Sequence, residues 1–138
     1  MKQDESFGII PLRHEQGRWE VFLIQLKHGR YWGFPKGHAD PDETPQQTAL
    51  RELKEETNLE LVRYLQEEPL TEHYHFSQEG RRISKRVYYF VAEVKGTVIL
   101  QKKEVQNGVW VPFPQAIDKA THPEGKAILT EVEKILFN

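Results

Sequence analysis

Apolar and β-branched residues cluster in short stretches along the chain, and polar or glycine-containing turns separate these stretches. Such stretches predict β-strands, because branched and aromatic side chains pack well on a pleated surface. The turns at residues 14–17 and 78–80 each stand between two of these stretches and predict hairpins. The predicted strands are residues 6–12, 19–26, 61–67, 71–77, 82–94, 97–100 and 109–111.

Helical spacing of apolar residues replaces this pattern in three places. Residues 45–57 follow the capping residue Thr44 and begin with Pro45, and they place Ala49, Leu50 and Leu53 on one side. Residues 114–120 predict a short helix, and residues 123–137 predict a longer one with a core-facing apolar stripe. Strands mixed with few helices predict a layered fold.

The polar side of the helix at residues 45–57 carries three carboxylates. Glu52, Glu55 and Glu56 fall within an arc of about 100°, where like charges repel one another. We expect this acidic side to stay open to solvent. Arg51 lies four residues before Glu55, a spacing that allows it to hold one carboxylate in place. Oxygen ligands without thiols favour a hard cation, so the pattern predicts Mg²⁺, with Mn²⁺ as a substitute. The alternative is an ordinary solvated helix.

Composition narrows the class of protein. The 138 residues suit one domain, which we place at residues 1–138, and the absence of cysteine excludes disulfides and thiolate metal sites. A net charge of −2 does not support a stable nucleic-acid partner. No apolar stretch is long enough to span a membrane, so we expect a cytoplasmic protein, either a monomer or a weak dimer, that binds a small-molecule nucleotide.

The spacing of the polar residues in and before this helix indicates a function more specifically than the helix alone does. Gly37 and Glu43 precede Arg51-Glu52-Leu53, and Glu55-Glu56 and Leu59 follow. This arrangement over residues 37–59 resembles the Nudix box. The resemblance implies a Nudix hydrolase of the α/β (α+β) class, an α/β/α sandwich with a mixed central sheet, and metal binding by the glutamates. Asn58 stands where the family usually has glycine, and asparagine also tolerates the positive φ of a helix end.

Residues outside the box resemble the diadenosine tetraphosphate hydrolase branch of this family. The segment at residues 31–38 resembles that branch's turn, which implies that Lys36 and His38 reach phosphate oxygens; a solvated loop histidine is the alternative. Trp32 and Phe34 are expected in the core or in a pocket wall. The resemblance also implies that Glu104 is a metal-binding carboxylate and that Lys85 and Tyr88 belong to a phosphate-facing strand. It implies that Tyr74 is a base-stacking aromatic. Sheet packing is the alternative for Tyr88, and Phe137 is a second stacking candidate.

The resemblance implies a Mg²⁺-dependent pyrophosphohydrolase that cleaves dinucleoside polyphosphates such as diadenosine tetraphosphate to ATP and AMP. Alternatives within the enzyme class are removal of pyrophosphate from RNA 5′ ends and hydrolysis of nucleoside triphosphates or nucleotide sugars. A catalytically silent nucleotide-binding module is the alternative from another class, and the intact glutamates disfavour it. The general base stays open among Glu52, Glu55 and Glu104. Two histidines on one strand face, His73 and His75, lack a third zinc ligand and favour a wet sheet face.

Overall fold

Eight strands form one sheet in the computed structural model, which describes residues 1–137. The strands are β1 (Lys2–Glu15), β2 (Arg18–Leu26), β3 (Trp32–Gly33), β4 (Lys36–Gly37), β5 (Glu60–Tyr64), β6 (Leu70–Gln78), β7 (Arg81–Lys95) and β8 (Val105–Pro112). The helices are α1 (Pro45–Thr57), α2 (Gln115–Lys119) and α3 (Pro123–Phe137). None of the helices within these residues has the length and apolar character needed to cross a membrane.

The sheet is mixed because one of its central pairs is parallel. Strands β1 and β7 run in the same direction from the pair Lys2 and Ile83 to the pair Leu12 and Glu93, whereas the other strand pairs are antiparallel. The edge of β1 that does not pair with β7 pairs with two other strands. Its C-terminal end pairs with β2, and its N-terminal half pairs with β4 through Phe7 and Gly37. This division brings the turn after β4 to the middle of the sheet.

Both predicted hairpins are confirmed. Residues 16 and 17 join β1 to β2, and residues 79 and 80 join β6 to β7. All four of these turn residues have positive φ, at 50° and 79° in the first turn and 52° and 77° in the second. Two-residue turns of this hand match the twist of paired strands. The glycine at the second position of each turn adopts this conformation without steric cost.

Side chains alternate between the two faces of the sheet, and helices cover both. Helix α1 buries Ala49 and Leu53 with Ile9 and Phe90 on one face, called here the α1 face. Helix α3 buries Ile128, Leu129 and Val132 with Val87 and Val91 on the opposite face, called here the α3 face; α2 also packs there. The predicted α/β/α sandwich with a mixed sheet is therefore confirmed.

The ends of α1 also follow the prediction. The Thr44 hydroxyl accepts from the Gln47 amide at 3.2 Å, and the Gln47 side chain accepts from the Thr44 amide at 2.9 Å, which completes a capping box. Asn58 ends the helix in the left-handed region with φ of 68°. Its side-chain amide donates to the Thr97 carbonyl at 2.9 Å, a hydrogen bond that glycine could not make.

Other predicted elements differ from the structure. Residues 97–100 form no strand; instead the amides of Ile99 and Gln101 donate to the carbonyls of Thr57 and Glu56 at 3.0 and 3.1 Å. The last carbonyls of a helix have no partner within it, so this segment satisfies the end of α1. The strand expected to reach residue 67 ends at Tyr64. The two-residue strands β3 and β4 were not predicted, because two residues carry no periodicity.

Candidate active site

Arg51 joins the acidic residues of the box. Its guanidinium donates twice to Glu43, from Nε at 2.7 Å and from Nη2 at 3.0 Å, and Nη1 donates to Glu52 at 3.0 Å and to Glu55 at 3.3 Å. Nη2 also donates to the His38 carbonyl at 3.0 Å. The guanidinium lowers the pKa of Glu43 to about 2. The sequence predicted that Arg51 would hold one carboxylate; it holds three and ties the turn after β4 to α1.

Gly37 explains how Glu52 reaches this turn. The Glu52 carboxylate occupies the space that a Cβ atom at residue 37 would need. Any side chain at residue 37 would therefore push Glu52 away from the turn. Gly37 pairs with Phe7 on β1, so the Glu52 carboxylate lies beside Phe7 on the α1 face.

Glu56 corrects the expectation that the acidic side of α1 is open to solvent. Only 4% of Glu56 is exposed, whereas 49% of the Glu55 side chain is exposed. Burial raises the pKa of Glu56 well above its usual range, and a hydrogen bond and charge from Glu52 raise it further; the charge of Glu104 acts in the same direction. Glu104 therefore stands near the helix although it lies outside the box.

The oxygen atoms at and near Glu56 are of the kind that binds a divalent cation. Two buried acceptor oxygens among residues 1–137 have no hydrogen-bond partner, Glu56 Oε2 and Gln101 Oε1. Carboxylate and amide oxygens are the ligands that hard cations prefer. The predicted ligands Glu52, Glu55, Glu56 and Glu104 are not all brought together, however, and no group of three acidic, histidine or cysteine side chains in residues 1–137 is arranged to hold a metal. Arg51 donates to both Glu52 and Glu55, and Glu52 also acts on Glu56.

Lys85 and His38 both contact Asp4, a residue that the sequence did not single out. Lys85 is 4% exposed, and its Nζ donates to Ser6 Oγ and, at 2.8 Å, to Asp4 Oδ2. The ring of His38 lies 2.9 Å from Asp4 Oδ1. Burial would raise the pKa of Asp4, but Lys85 and His38 lower it overall. Only the parallel pairing of β1 with β7 brings Asp4 beside Lys85, so no local motif could have revealed it.

A cavity of about 340 Å³ opens on the α3 face. Aromatic rings supply much of its wall, and three charged side chains, Lys36, Glu72 and Glu124, join them. The aromatic lining residues are Tyr31, Trp32, Phe34, Tyr74, Phe76 and Tyr89. The expectation that Trp32 and Phe34 form a core or pocket wall is therefore confirmed, and Tyr74 stands in the same wall. Sequence reasoning missed Glu72, because a single acidic residue in a strand carries no signal.

Lys36 connects this cavity to the box carboxylates. Burial lowers the pKa of Lys36, and the neighbouring ammonium of Lys85 lowers it further, while Glu72 in the cavity wall and Glu56 on α1 both act against that decrease. The Lys36 ammonium thus lies within electrostatic reach of both carboxylates.

Tyr88 does not share the surface that Lys85 occupies. Neighbouring strand residues alternate between faces, so Lys85 and Tyr89 face the α3 side, while Tyr88 faces the α1 side. Its ring stacks on Phe7 with centroids 5.5 Å apart, and its hydroxyl donates to Glu5 at 3.0 Å. Tyr88 therefore does not share the face of Lys85, and its contacts fit the sheet-packing alternative. Its assignment to a phosphate-facing strand stays a prediction.

The remaining histidine and aromatic candidates lie elsewhere. His73 and His75 are exposed on the α1 side of β6, with ring centroids 4.9 Å apart, and His73 lies 2.7 Å from the Ser84 hydroxyl. This pair matches the wet sheet face that the sequence favoured. Phe137 is 60% exposed and packs edge-on against Phe113, outside the set of residues that line the cavity.

Comparison with known proteins places the chain in a class. A family model described as the NUDIX domain matches residues 2–131. Because this match covers nearly all of the sequence, the protein belongs to the Nudix hydrolase family and is a hydrolase of phosphoanhydride bonds. Enzymes of this family act on small nucleotides and generally use divalent metal ions.

Within that family, the chain is similar to asymmetrical bis(5′-nucleosyl)-tetraphosphatases. It is 35% identical over 120 residues to the enzyme of Rattus norvegicus, which covers 85% of this chain and 80% of that protein. It is 30% identical over 134 residues to the enzyme of Caenorhabditis elegans, with 96% of each chain covered. The crystal structure of a C. elegans Ap4A hydrolase binary complex superposes with a TM-score of 0.73 at 27% identity, over 96% of this chain and 97% of that one.

Proposed function

We propose that this protein is a Mg²⁺-dependent hydrolase of dinucleoside polyphosphates that cleaves diadenosine tetraphosphate asymmetrically to ATP and AMP. The observation that carries the proposal is the position of Lys36, which lies between an aromatic cavity and the box carboxylates. A substrate with a base at one end and a chain of phosphates can therefore occupy both regions at once. The similarity to asymmetrical tetraphosphatases supports the same substrate class.

The cavity holds one nucleoside in this proposal. Its aromatic walls suit a purine ring, and Tyr74 offers the stacking surface. Stacking of a base on an aromatic side chain contributes about 1 to 3 kcal/mol, so Tyr74 governs affinity more than the bond-breaking step. The ammonium of Lys36 then contacts the first phosphates beyond the ribose.

The polyphosphate is held by cationic groups that the fold has already positioned. Lys85 is buried and fixed by Asp4 and Ser6, so its ammonium loses little conformational freedom when a phosphate binds. His38 is held by the same aspartate at the edge of the site. Arg51 acts as a positioning residue, because its guanidinium holds Glu43, Glu52, Glu55 and the His38 carbonyl in a fixed arrangement.

The proposed metal ligands are Glu56, the two carboxylates that act on its pKa, Glu52 and Glu104, and Glu55, which completes the predicted set. A bound Mg²⁺ would neutralise charge on the phosphates and acidify a water molecule. A glutamate of this chain removes the proton from that water. Glu52, Glu55 and Glu104 remain the candidates for this base, and Glu55 and Glu104 have the better access because both are exposed.

A substrate panel tests the proposal. The purified chain is incubated with Mg²⁺ and diadenosine tetraphosphate, nucleoside triphosphates, nucleotide sugars or 5′-triphosphorylated RNA, and the products are identified by mass. We expect fastest cleavage of diadenosine tetraphosphate to ATP and AMP. In ¹⁸O-labelled water, attack at a terminal phosphorus places the label in AMP. Two ADP molecules, or a faster reaction with another substrate, would overturn the substrate assignment.

Removal of the metal tests the cofactor separately. Treatment with EDTA should abolish turnover, and added Mg²⁺ should restore it and raise the melting temperature, because a ligand that binds only the folded state stabilises that state. Full activity in EDTA would contradict the metal-dependent mechanism. An unchanged melting temperature with Mg²⁺ would contradict binding at the carboxylates.

A further inference from the structure

Glu72 is the acidic side chain that faces the aromatic wall of the cavity from within the sheet. It lies on β6 two residues before Tyr74, so both side chains point to the α3 face. Glu72 is half-buried, and the hydroxyl of Tyr89 is among the groups that act on its pKa. The proposed mechanism uses the cavity to hold a base but gives this carboxyl no role.

The charged and titratable groups around Glu72 come from every element that packs on it. Lys36 approaches from β4, and Lys85 and Tyr89 approach from β7. Glu124 and Glu131 approach from α3, and Tyr74 is the neighbour on its own strand. Tyr31 and His122 lie in the same cavity wall, where their rings are 4.8 Å apart.

These surroundings leave the protonation state of Glu72 finely balanced. Burial raises the pKa of Glu72 to about 7; Lys36 acts against this increase, and Glu124 adds to it. Both the neutral and the ionised forms are therefore populated near neutral pH. A carboxyl at the surface would be ionised throughout that range.

The two forms present different hydrogen-bonding patterns to a base. A neutral carboxyl offers one O–H donor and one carbonyl acceptor, which complement the N1 acceptor and the 6-amino donor of adenine. An ionised carboxylate offers two acceptors, which complement the N1–H and 2-amino donors of guanine. A paired contact of this kind discriminates between bases by about tenfold or more.

We propose that Glu72 reads the base in the cavity, pairing with adenine when its carboxyl is neutral and with guanine when it is ionised. This inference rests on the proposed function to the extent that the cavity holds a nucleotide base. It assigns to one residue the choice between adenine and guanine nucleotides, and it makes that choice depend on pH.

Calorimetric titration of the full chain with AMP and with GMP tests the inference, at one fixed concentration of Mg²⁺. The ratio of the two Kd values is the quantity of interest, because titration of the phosphate, of His38 and of His122 affects both nucleotides alike. We expect the Kd ratio of GMP to AMP to fall about tenfold or more between about pH 5.5 and about pH 8.5. A ratio that is constant with pH, or no binding of either nucleotide, would overturn the inference.

Substitution assigns the change in ratio to one residue. Glu72→Gln replaces the carboxyl by an amide that offers one donor and one acceptor, as the neutral acid does, so the preference for AMP should persist at both pH values. Glu124→Gln is the matched control, because Glu124 lines the same cavity, and it should keep the pH-dependent change. A change of wild-type size in Glu72→Gln would exclude Glu72 as its source.

The binding measurement is independent of cleavage. If the protein fails to hydrolyse diadenosine tetraphosphate, the proposed substrate is wrong, yet the ratio for AMP and GMP still reports on Glu72. If hydrolysis proceeds as proposed and the ratio does not change with pH, only the role of Glu72 is wrong.

Discussion

The two faces of the sheet build their parts of the site in different ways. On the α1 face, Arg51 gathers Glu43, Glu52 and Glu55 from a single stretch of chain. On the α3 face, the cavity draws its walls from positions as far apart as Leu26 and Gly125. Apart from Glu104, the groups proposed to break the bond are therefore fixed by local spacing, and the groups proposed to choose the nucleotide are fixed by topology.

Loss of one box carboxylate should give the largest decrease in kcat. This effect should be confined to the α1 face. Glu56→Gln keeps the size of the side chain and removes a charged oxygen ligand, so kcat should fall about 100-fold. Binding of AMP in the cavity should be unchanged in calorimetry. Glu60→Gln is the control, since Glu60 follows the helix in an exposed ion pair with Lys54. Normal kcat in Glu56→Gln would remove Glu56 from the metal site.

Arg51→Lys should have the next largest effect. Lysine keeps the positive charge but cannot hold several carboxylates and a carbonyl in a fixed plane, so kcat should fall about tenfold to thirtyfold. Arg63→Lys provides the comparison, because Arg63 pairs with Glu93 at the surface. Equal kinetics for the two variants would show that Arg51 contributes charge and not geometry.

Tyr74→Ala should act on binding and leave the bond-breaking step almost unchanged. Removal of one stacking surface among several should raise KM about fivefold, corresponding to about 1 kcal/mol. Glu104→Gln should show the opposite division, with kcat lowered more than KM is raised. Tyr88→Ala separates the two faces: Tyr88 stacks on Phe7 away from the cavity, so its KM should stay normal. A rise in KM equal to that of Tyr74→Ala would return Tyr88 to the substrate site.

A change of stability with pH is the expected effect on the α3 face that involves no substrate. The pKa of Glu72 rises from 4.5 to about 7 on folding, so the native state binds more protons than the unfolded chain in that interval. Stability contributed by the neutral form is present below about pH 4.5 and is lost as pH rises to about 7. Relative to Glu72→Gln, the wild type should lose about 1 to 2 kcal/mol in urea unfolding across this interval, after allowance for solvent screening. Parallel stability profiles would contradict the raised pKa.

This division between local and non-local sites also explains what the sequence could predict. Helix α1, its capping box and the left-handed Asn58 were predicted because each depends on residues fewer than five positions apart. Both hairpins were predicted for the same reason. The burial of Glu56, the contact of Asp4 with Lys85 and the presence of Glu72 in the cavity depend on strand pairing across the whole chain, which periodicity does not encode.

The main-chain hydrogen bonds at the end of α1 make the length of one loop more important than its composition. The amides of Ile99 and Gln101 bind the helix, and the Glu104 carbonyl accepts from the Lys27 amide at 2.8 Å, so backbone fixes the loop at both ends. Every residue except proline supplies such a donor. Removal of one residue between 101 and 104 would displace the Glu104 carboxylate by about 3.5 Å, more than the length of a metal–oxygen bond. Except at Gln101 and Glu104, related sequences and engineered variants should therefore tolerate substitutions in this loop far better than insertions or deletions.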